Sequence, residues 1–165
     1  MRIAIGNDRN GISFKHRLTK HLISLGYDIV DCGTNEDIPA DYPIHGELVG
    51  KMVSSGQCDR GIVICATGIG ISIAVGKVKG IRVGIAYSDD VARLMRMHND
   101  ANVIGFGQDY MSYEDVERRV DLFLTTDFSG GYHVSRIKQI TSIEDGLPIV
   151  QTPIMNKDNK HEKGK

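Results

Sequence analysis

A thiol followed at once by a glycine turn, Cys65-Ala66-Thr67-Gly68-Ile69-Gly70-Ile71-Ser72, is the stretch of this chain best equipped for chemistry. It closes an apolar run, Gly61–Cys65, with the length and β-branched content of a buried strand. Ile69–Val78 after it reads as a helix. Free backbone N–H groups in such a turn attract anionic oxygen, either a phosphate or a developing oxyanion. The same donors favour a thiolate, so Cys65 could serve as a nucleophile or a general base. The plain alternative is a buried structural cysteine, a common fate of the residue. Neither G-x-S-x-G nor a Walker A sequence is present, so hydrolase-elbow and NTPase readings lack their motifs.

A second candidate ends the first apolar run, Gly6-Asn7-Asp8-Arg9-Asn10-Gly11. A carboxylate at the C-terminal end of a strand faces the ligand crevice, although Asp8 capping the following turn is the simpler role. No G-x-G-x-x-G follows this strand, which removes the main support for dinucleotide binding. His98, in Met97-His98-Asn99-Asp100-Ala101-Asn102, could trade a proton near neutrality or merely cap a helix. His133 and Arg136, three apart on one helix face, could hold an anion or be ordinary surface charge.

The elements that must position these groups alternate along the chain. Strands are expected at Arg2–Gly6, Asp28–Asp31, Gly61–Cys65, Arg82–Ala86 and Asn102–Phe106. Helices are expected at Phe14–Leu25, Ile44–Ser55, Ile69–Val78, Asp89–His98, Tyr113–Thr125 and, past Gly130-Gly131, Val134–Ile143. Phe14, Leu18, Leu22 and Leu25 trace one face of the first helix, and Val116, Val120 and Phe123 do so later. Uniformly apolar strands suit a parallel sheet covered on both sides. The expected fold is therefore α/β: a Rossmann-like three-layer α/β/α sandwich on a five-stranded parallel sheet, order 2-1-3-4-5. That order puts strands one and three, the two with unusual ends, at the point where open α/β sheets bind ligands.

Composition sets the outer limits. With 165 residues and a formal net charge of −1, the chain suits one domain, taken as residues 1–150. Residues 151–165 form a polar tail that reads as disordered. The near-neutral balance argues against nucleic-acid binding. No segment has the length and apolarity of a membrane span or a signal-peptide core. Three unpaired cysteines, Cys32, Cys58 and Cys65, fit a reducing cytoplasm rather than disulfides or a zinc cluster. The 19 glycines are well above the usual share, are not periodic, and gather partly at strand ends.

Taken jointly, these motifs resemble the ribose-5-phosphate isomerase type B family, which includes the bacterial galactose-6-phosphate isomerases. The resemblance runs from Met1 to about Ile143. It is carried by Ile3-Ala4-Ile5-Gly6 with Asp8, Asp31-Cys32-Gly33-Thr34, Asp41-Tyr42-Pro43, the Gly61–Ser72 segment, Gly80-Ile81-Arg82, His98–Val103, and Gly130-Gly131 with His133 and Arg136. It implies an aldose–ketose isomerase of a small sugar phosphate that uses no metal or organic cofactor. It also implies homodimers, or assemblies of dimers such as tetramers, with sites built across the interface. On this resemblance Cys65 would be the base, and Thr67 with the Gly68, Ile69 and Gly70 amides would stabilise an enediolate. Asp8 and Tyr42 would position sugar hydroxyls. His98 would come from the partner and assist ring opening, and His133 and Arg136 would help hold the phosphate. Ser72 and Asn99 fall within the matching segments and are counted with the substrate-binding residues.

The departures are as specific. Arg9 stands where the family usually has His, and Ala66 where it has Gly. Asp109 and Tyr132 stand where phosphate-binding arginines are usual. Arg9 adds a cation suited to phosphate or carboxylate. The machinery is thus expected to act on a ribose 5-phosphate type substrate, or on a different sugar phosphate or sugar acid. A different class of reading is an impaired subunit that works beside a homologue. A thiol-dependent hydrolase is a distant third.

Overall fold

The computed structural model describes residues 1–152, so all of the expected tail except Gln151 and Thr152 lies outside the described residues. The strands are β1 (Arg2–Asn7), β2 (Asp28–Asp31), β3 (Arg60–Cys65), β4 (Val83–Ile85) and β5 (Val103–Gly107). The helices are α1 (Ile12–Ser24), α2 (Tyr42–Ser54), α3 (Ile69–Val75), α4 (Asp89–Met97), α5 (Tyr113–Thr125) and α6 (His133–Glu144). A 3-10 turn, Arg9–Gly11, joins β1 to α1.

All five strands run parallel in one sheet, in the order β2-β1-β3-β5-β4. The α/β sandwich is as expected, but the last two strands exchange places relative to the expected 2-1-3-4-5. Length and burial match the exchange, β4 having three residues at the edge and β5 five inside. Every residue of β5 is buried, which an inner strand requires, whereas the three residues of β4 are only partly covered. The β1–β3 switch point is the same in either order.

Alternate residues of each strand serve the two faces. Ile3, Ile5, Ile62, Ile64, Ile104 and Phe106 point to one core, closed by Leu18 and Leu22 of α1, Ala92 and Met95 of α4, and Val116, Val120 and Phe123 of α5. Ala4, Val63, Cys65 and Val103 point to the other, closed by Val49 and Val53 of α2 and Ile71 and Val75 of α3. Burying each large apolar side chain contributes about 1.5–3 kcal/mol. Leu25 is exposed, against expectation, because α1 ends at Ser24; the buried stripe is instead Lys15, Leu18 and Leu22. Among the described residues no helix is long and apolar enough to cross a membrane.

Candidate functional site

Register builds one half of the site. Asn7 pairs with Ile64, and the Asp8 N–H donates to the Ile64 carbonyl at 3.3 Å, so Asp8 and Cys65 leave adjacent strands side by side. Asp8 is buried, and its carboxylate accepts from the Asn10 N–H at 2.9 Å and the Asn10 amide at 3.2 Å. The capping role expected of an Asp here is therefore real, and it holds the carboxylate at the crevice. Arg9 is exposed on the same turn, with no ion pair among the described residues.

The Cys65 side chain faces the α2–α3 side, and the turn after it bends over its own strand end. Gly68 adopts φ +78°, a left-handed conformation that side chains resist, and a Cβ there would lie 2.7 Å from the Phe106 carbonyl carbon. Only glycine lets the turn sit directly on β5. Its N–H donates to Cys65 Sγ at 3.1 Å, which fixes the sulfur against the turn. The Ile69 N–H donates to Thr67 Oγ1 at 3.2 Å. Of the three amides expected to face substrate, two have these internal partners. Tyr42, the first residue of α2, lays its ring against Gly70 so closely that a Cβ there would meet Cζ at 2.8 Å.

Ser72 does not join this group. Its hydroxyl is buried against Gly105 of β5, with no hydrogen-bond partner among the described residues. The α3 helix turns this side chain inward because positions 71, 72 and 75 form its covered face.

The other candidates assemble elsewhere. His98 caps the C-terminus of α4 and stacks on His133, ring centroids 4.3 Å apart and planes 14° apart. Tyr132 also packs on His133, ring centroids 4.0 Å apart and planes tilted by 33°. Lost hydration, then His98 and Arg136, push the His133 imidazole below its usual value. Arg136 folds back onto its own helix, donating to the Tyr132 carbonyl at 2.8 Å and Ser135 Oγ at 3.0 Å. Asn99 is exposed. This group precedes β5, whose first residue pairs with Gly61, whereas Cys65 pairs with Gly107 at the other end. At about 3.3 Å per residue the two sheet edges are ~13 Å apart along the strands. One chain therefore does not bring His98, His133 and Arg136 to Cys65.

Two polar networks escaped the sequence reading. Lys15, 1% exposed, donates to both oxygens of Asp31 at 2.8 and 2.9 Å and to the Thr34 carbonyl at 2.9 Å. The Thr34 carbonyl also accepts from Asn7, so the Asp31–Thr34 loop is drawn onto the end of β1. Gly33 is required there because a Cβ would collide with Asn7 Oδ1. Burial raises the Asp31 carboxyl, but hydrogen bonds from Lys15, Gly33 and Asn35 and the ammonium charge outweigh it and hold it below its usual value. The available signal was a lysine inside the apolar stripe of α1. The second network, around Asp100, carried no pattern readable in one dimension. Among the described residues no group of three or more His, Cys, Asp or Glu could hold a metal.

The chain matches the pattern of the Ribose/Galactose Isomerase family over residues 3–140. It is 40% identical over 143 residues to Ribose-5-phosphate isomerase B of Escherichia coli K12, covering 87% of this chain and 96% of that protein. Its fold is similar to that of the Clostridium thermocellum Ribose-5-Phosphate Isomerase B structure, with TM-score 0.87, 42% identity, and 88% and 99% of the two chains covered. It is also similar to the Mycoplasma genitalium Ribose-5-phosphate Isomerase B structure with bound ribulose-5-phosphate, with TM-score 0.83, 35% identity, and 87% and 96% covered.

Proposed function

The chain belongs to the ribose/galactose isomerase family and is an aldose–ketose isomerase of sugar phosphates, and from that premise we propose that it interconverts ribose 5-phosphate and ribulose 5-phosphate with Cys65 as the base. The observation that carries the assignment of the base is the Gly68 N–H on Cys65 Sγ at the β1–β3 switch point, beside Asp8. Cys65 takes the proton from the carbon next to the open-chain carbonyl. The C–H pair becomes the C1=C2 bond of an enediolate as the carbonyl pair moves onto O1; the proton on O2 then passes to O1, C2=O forms, and the thiol gives a proton to C1. Catalysis of this kind needs a poised base and donors set for the enediolate rather than the ground state. The Gly70 amide and Thr67 hydroxyl supply the donors, and Asp8 and Tyr42 orient hydroxyls.

Ribose 5-phosphate enters as a furanose, so the ring must open first. The C1–O4 bond breaks as the anomeric hydroxyl gives up its proton and O4 gains one, with His98 as the group that moves it. His98 reaches Cys65 only from a second copy of the chain, and His133 and Arg136 accompany it to hold phosphate. Self-association is supported by surfaces a lone chain leaves unused. The 12 residues of α6 include none that is buried, although it carries Val134, Ile137, Ile140 and Ile143. Ile44 and Leu48 of α2 and Ile69 and Ile73 of α3 are exposed beside the Cys65 turn. A homodimer with two sites across its interface uses all of these.

Cys65→Ala and His98→Ala should each lose orders of magnitude in turnover and keep the fold. Equal mixtures, dissociated and reassociated, should regain about a quarter of wild-type activity, because half the dimers carry one intact site. Near-normal turnover by Cys65→Ala would refute the base, and a mixture no better than its parents would refute the shared site. Arg9, exposed beside Asp8 with no ion pair among the described residues, favours a second reading in which the far end of the substrate differs. A panel of ribose 5-phosphate, galactose 6-phosphate, their dephosphorylated sugars and a sugar acid separates the two: efficient ribose 5-phosphate turnover excludes the second.

A further inference from the structure

Asp100, two residues after His98, has φ +44° and is the one described residue other than glycine with a positive φ. Left-handed backbone at a non-glycine residue persists only where its surroundings over-determine it, and such positions concentrate at functional sites. The surroundings here are two arginines. Arg82, just ahead of the edge strand β4, donates through Nε to the Asn99 carbonyl at 3.1 Å and the Asp100 carbonyl at 2.9 Å, and through Nη2 to Asp100 Oδ2 at 2.7 Å. Arg96 of α4, buried, donates through Nη1 to Asp100 Oδ1 at 2.8 Å and the Ala101 carbonyl at 2.6 Å. Its Nε reaches the Thr126 carbonyl at 3.3 Å.

The two guanidiniums thus tie one carboxylate and four carbonyls around the corner that ends α4. Arg96 also reaches the segment leading to His133, which the Ser129 N–H anchors to the Met97 carbonyl at 3.0 Å. His98 has no side-chain hydrogen bond among the described residues, so its ring is aimed by its backbone corner and by the stack on His133.

We propose that Arg82, Asp100 and Arg96 are positioning residues for ring opening: they set the direction of the His98 imidazole and its stack without touching substrate. This rests on the reading of His98 as the ring-opening group. It separates the two chemical steps, since Cys65 lies at the opposite edge of the sheet and owes nothing to this corner.

The test uses the full chain carrying Arg82→Met, Arg82→Lys or Asp100→Asn; asparagine keeps the left-handed tolerance of aspartate while losing its charge. Two reactions are followed. Turnover of ribose 5-phosphate starts from the furanose and needs ring opening. Incorporation of solvent deuterium at C1 of ribulose 5-phosphate starts from an open-chain ketose and needs only the base. Misplacing a catalytic group by an ångström costs up to ~100-fold, so aldose turnover should fall at least about tenfold while deuterium incorporation stays within about twofold. Arg82→Lys should resemble Arg82→Met, because an ammonium cannot span the carbonyls and the carboxylate together. Unchanged turnover, or an equal fall in both reactions, overturns the proposal. Absence of both turnover and incorporation in the wild type, or survival of incorporation in Cys65→Ala, instead overturns the isomerase chemistry on which the proposal stands.

Discussion

Replacing Lys15 by methionine should destabilise the fold less than replacing its partner Asp31 by asparagine, although both changes break the same ion pair. The ammonium is 1% exposed and the Asp31 side chain 42% exposed. In Lys15→Met the stranded group is a carboxylate that still accepts from Gly33 and Asn35 and can rehydrate. The lost charge-assisted bonds are offset in part because no ammonium is buried, leaving a net cost of about 2 kcal/mol. In Asp31→Asn the stranded group is a buried ammonium left with the Thr34 carbonyl and an amide oxygen, which costs about 3–5 kcal/mol. At ~2–4 °C per kcal/mol for a chain of this size, the expected losses in Tm are roughly 5 °C and 10 °C or more. Urea unfolding at one protomer concentration measures both, with concentration fixed because association shifts apparent stability. A Lys15→Met cost equal to or above that of Asp31→Asn refutes the reasoning. The pH dependence supplies a second check. Asp31 is held below its unfolded value, so its contribution is present above about pH 4 and is lost as pH falls through the lower folded value. The wild type should therefore lose its margin over Asp31→Asn only on the acid side of that window.

Ser72→Ala should raise stability by up to about 1 kcal/mol, because it removes a buried hydroxyl without a partner, and should leave KM unchanged. A rise in KM would put that hydroxyl on the substrate. The His133 ring should titrate by proton NMR below its usual value near 6.5, and His98→Ala should move the midpoint up; an unmoved midpoint would show that the stack does not couple the rings. Because folded His133 binds its proton less readily than unfolded His133, stability should fall as pH drops from about 6.5 to the folded midpoint and gain no further loss from this group below it.

The local half of the site was legible in one dimension. A buried strand, a thiol at its end and a glycine turn are consecutive residues, and neighbouring residues constrain each other through backbone sterics alone. That is why Cys65, Gly68 and the start of α3 fell where the residue pattern puts them. Strand order at the sheet's far end was less legible, since the alternation of elements is the same for β4-β5 and β5-β4. Complete burial of β5 against partial cover of β4 decided it.

The partners in long-range polar contacts were not legible, although a lysine inside the apolar stripe of α1 signalled that one such contact existed. Lys15 and Asp31 are 16 residues apart and Arg82 and Asp100 are 18 apart, and a charge pair at such spacing has no periodicity to announce it. Ser72 shows the converse: its place in the motif suggested a ligand, and the helix face turned it into the core.

By itself, then, the sequence determined the α/β class, the positions of the helices and strands, and the chemical character of the Cys65 turn, because these follow from short-range sterics and the burial of apolar side chains. Tertiary structure alone decided that His98 and Cys65 occupy opposite edges of the sheet. That separation comes from the direction of α4, which must run back along the parallel strands before β5 can begin. Within one chain the two groups therefore stay apart by ~13 Å along the strands.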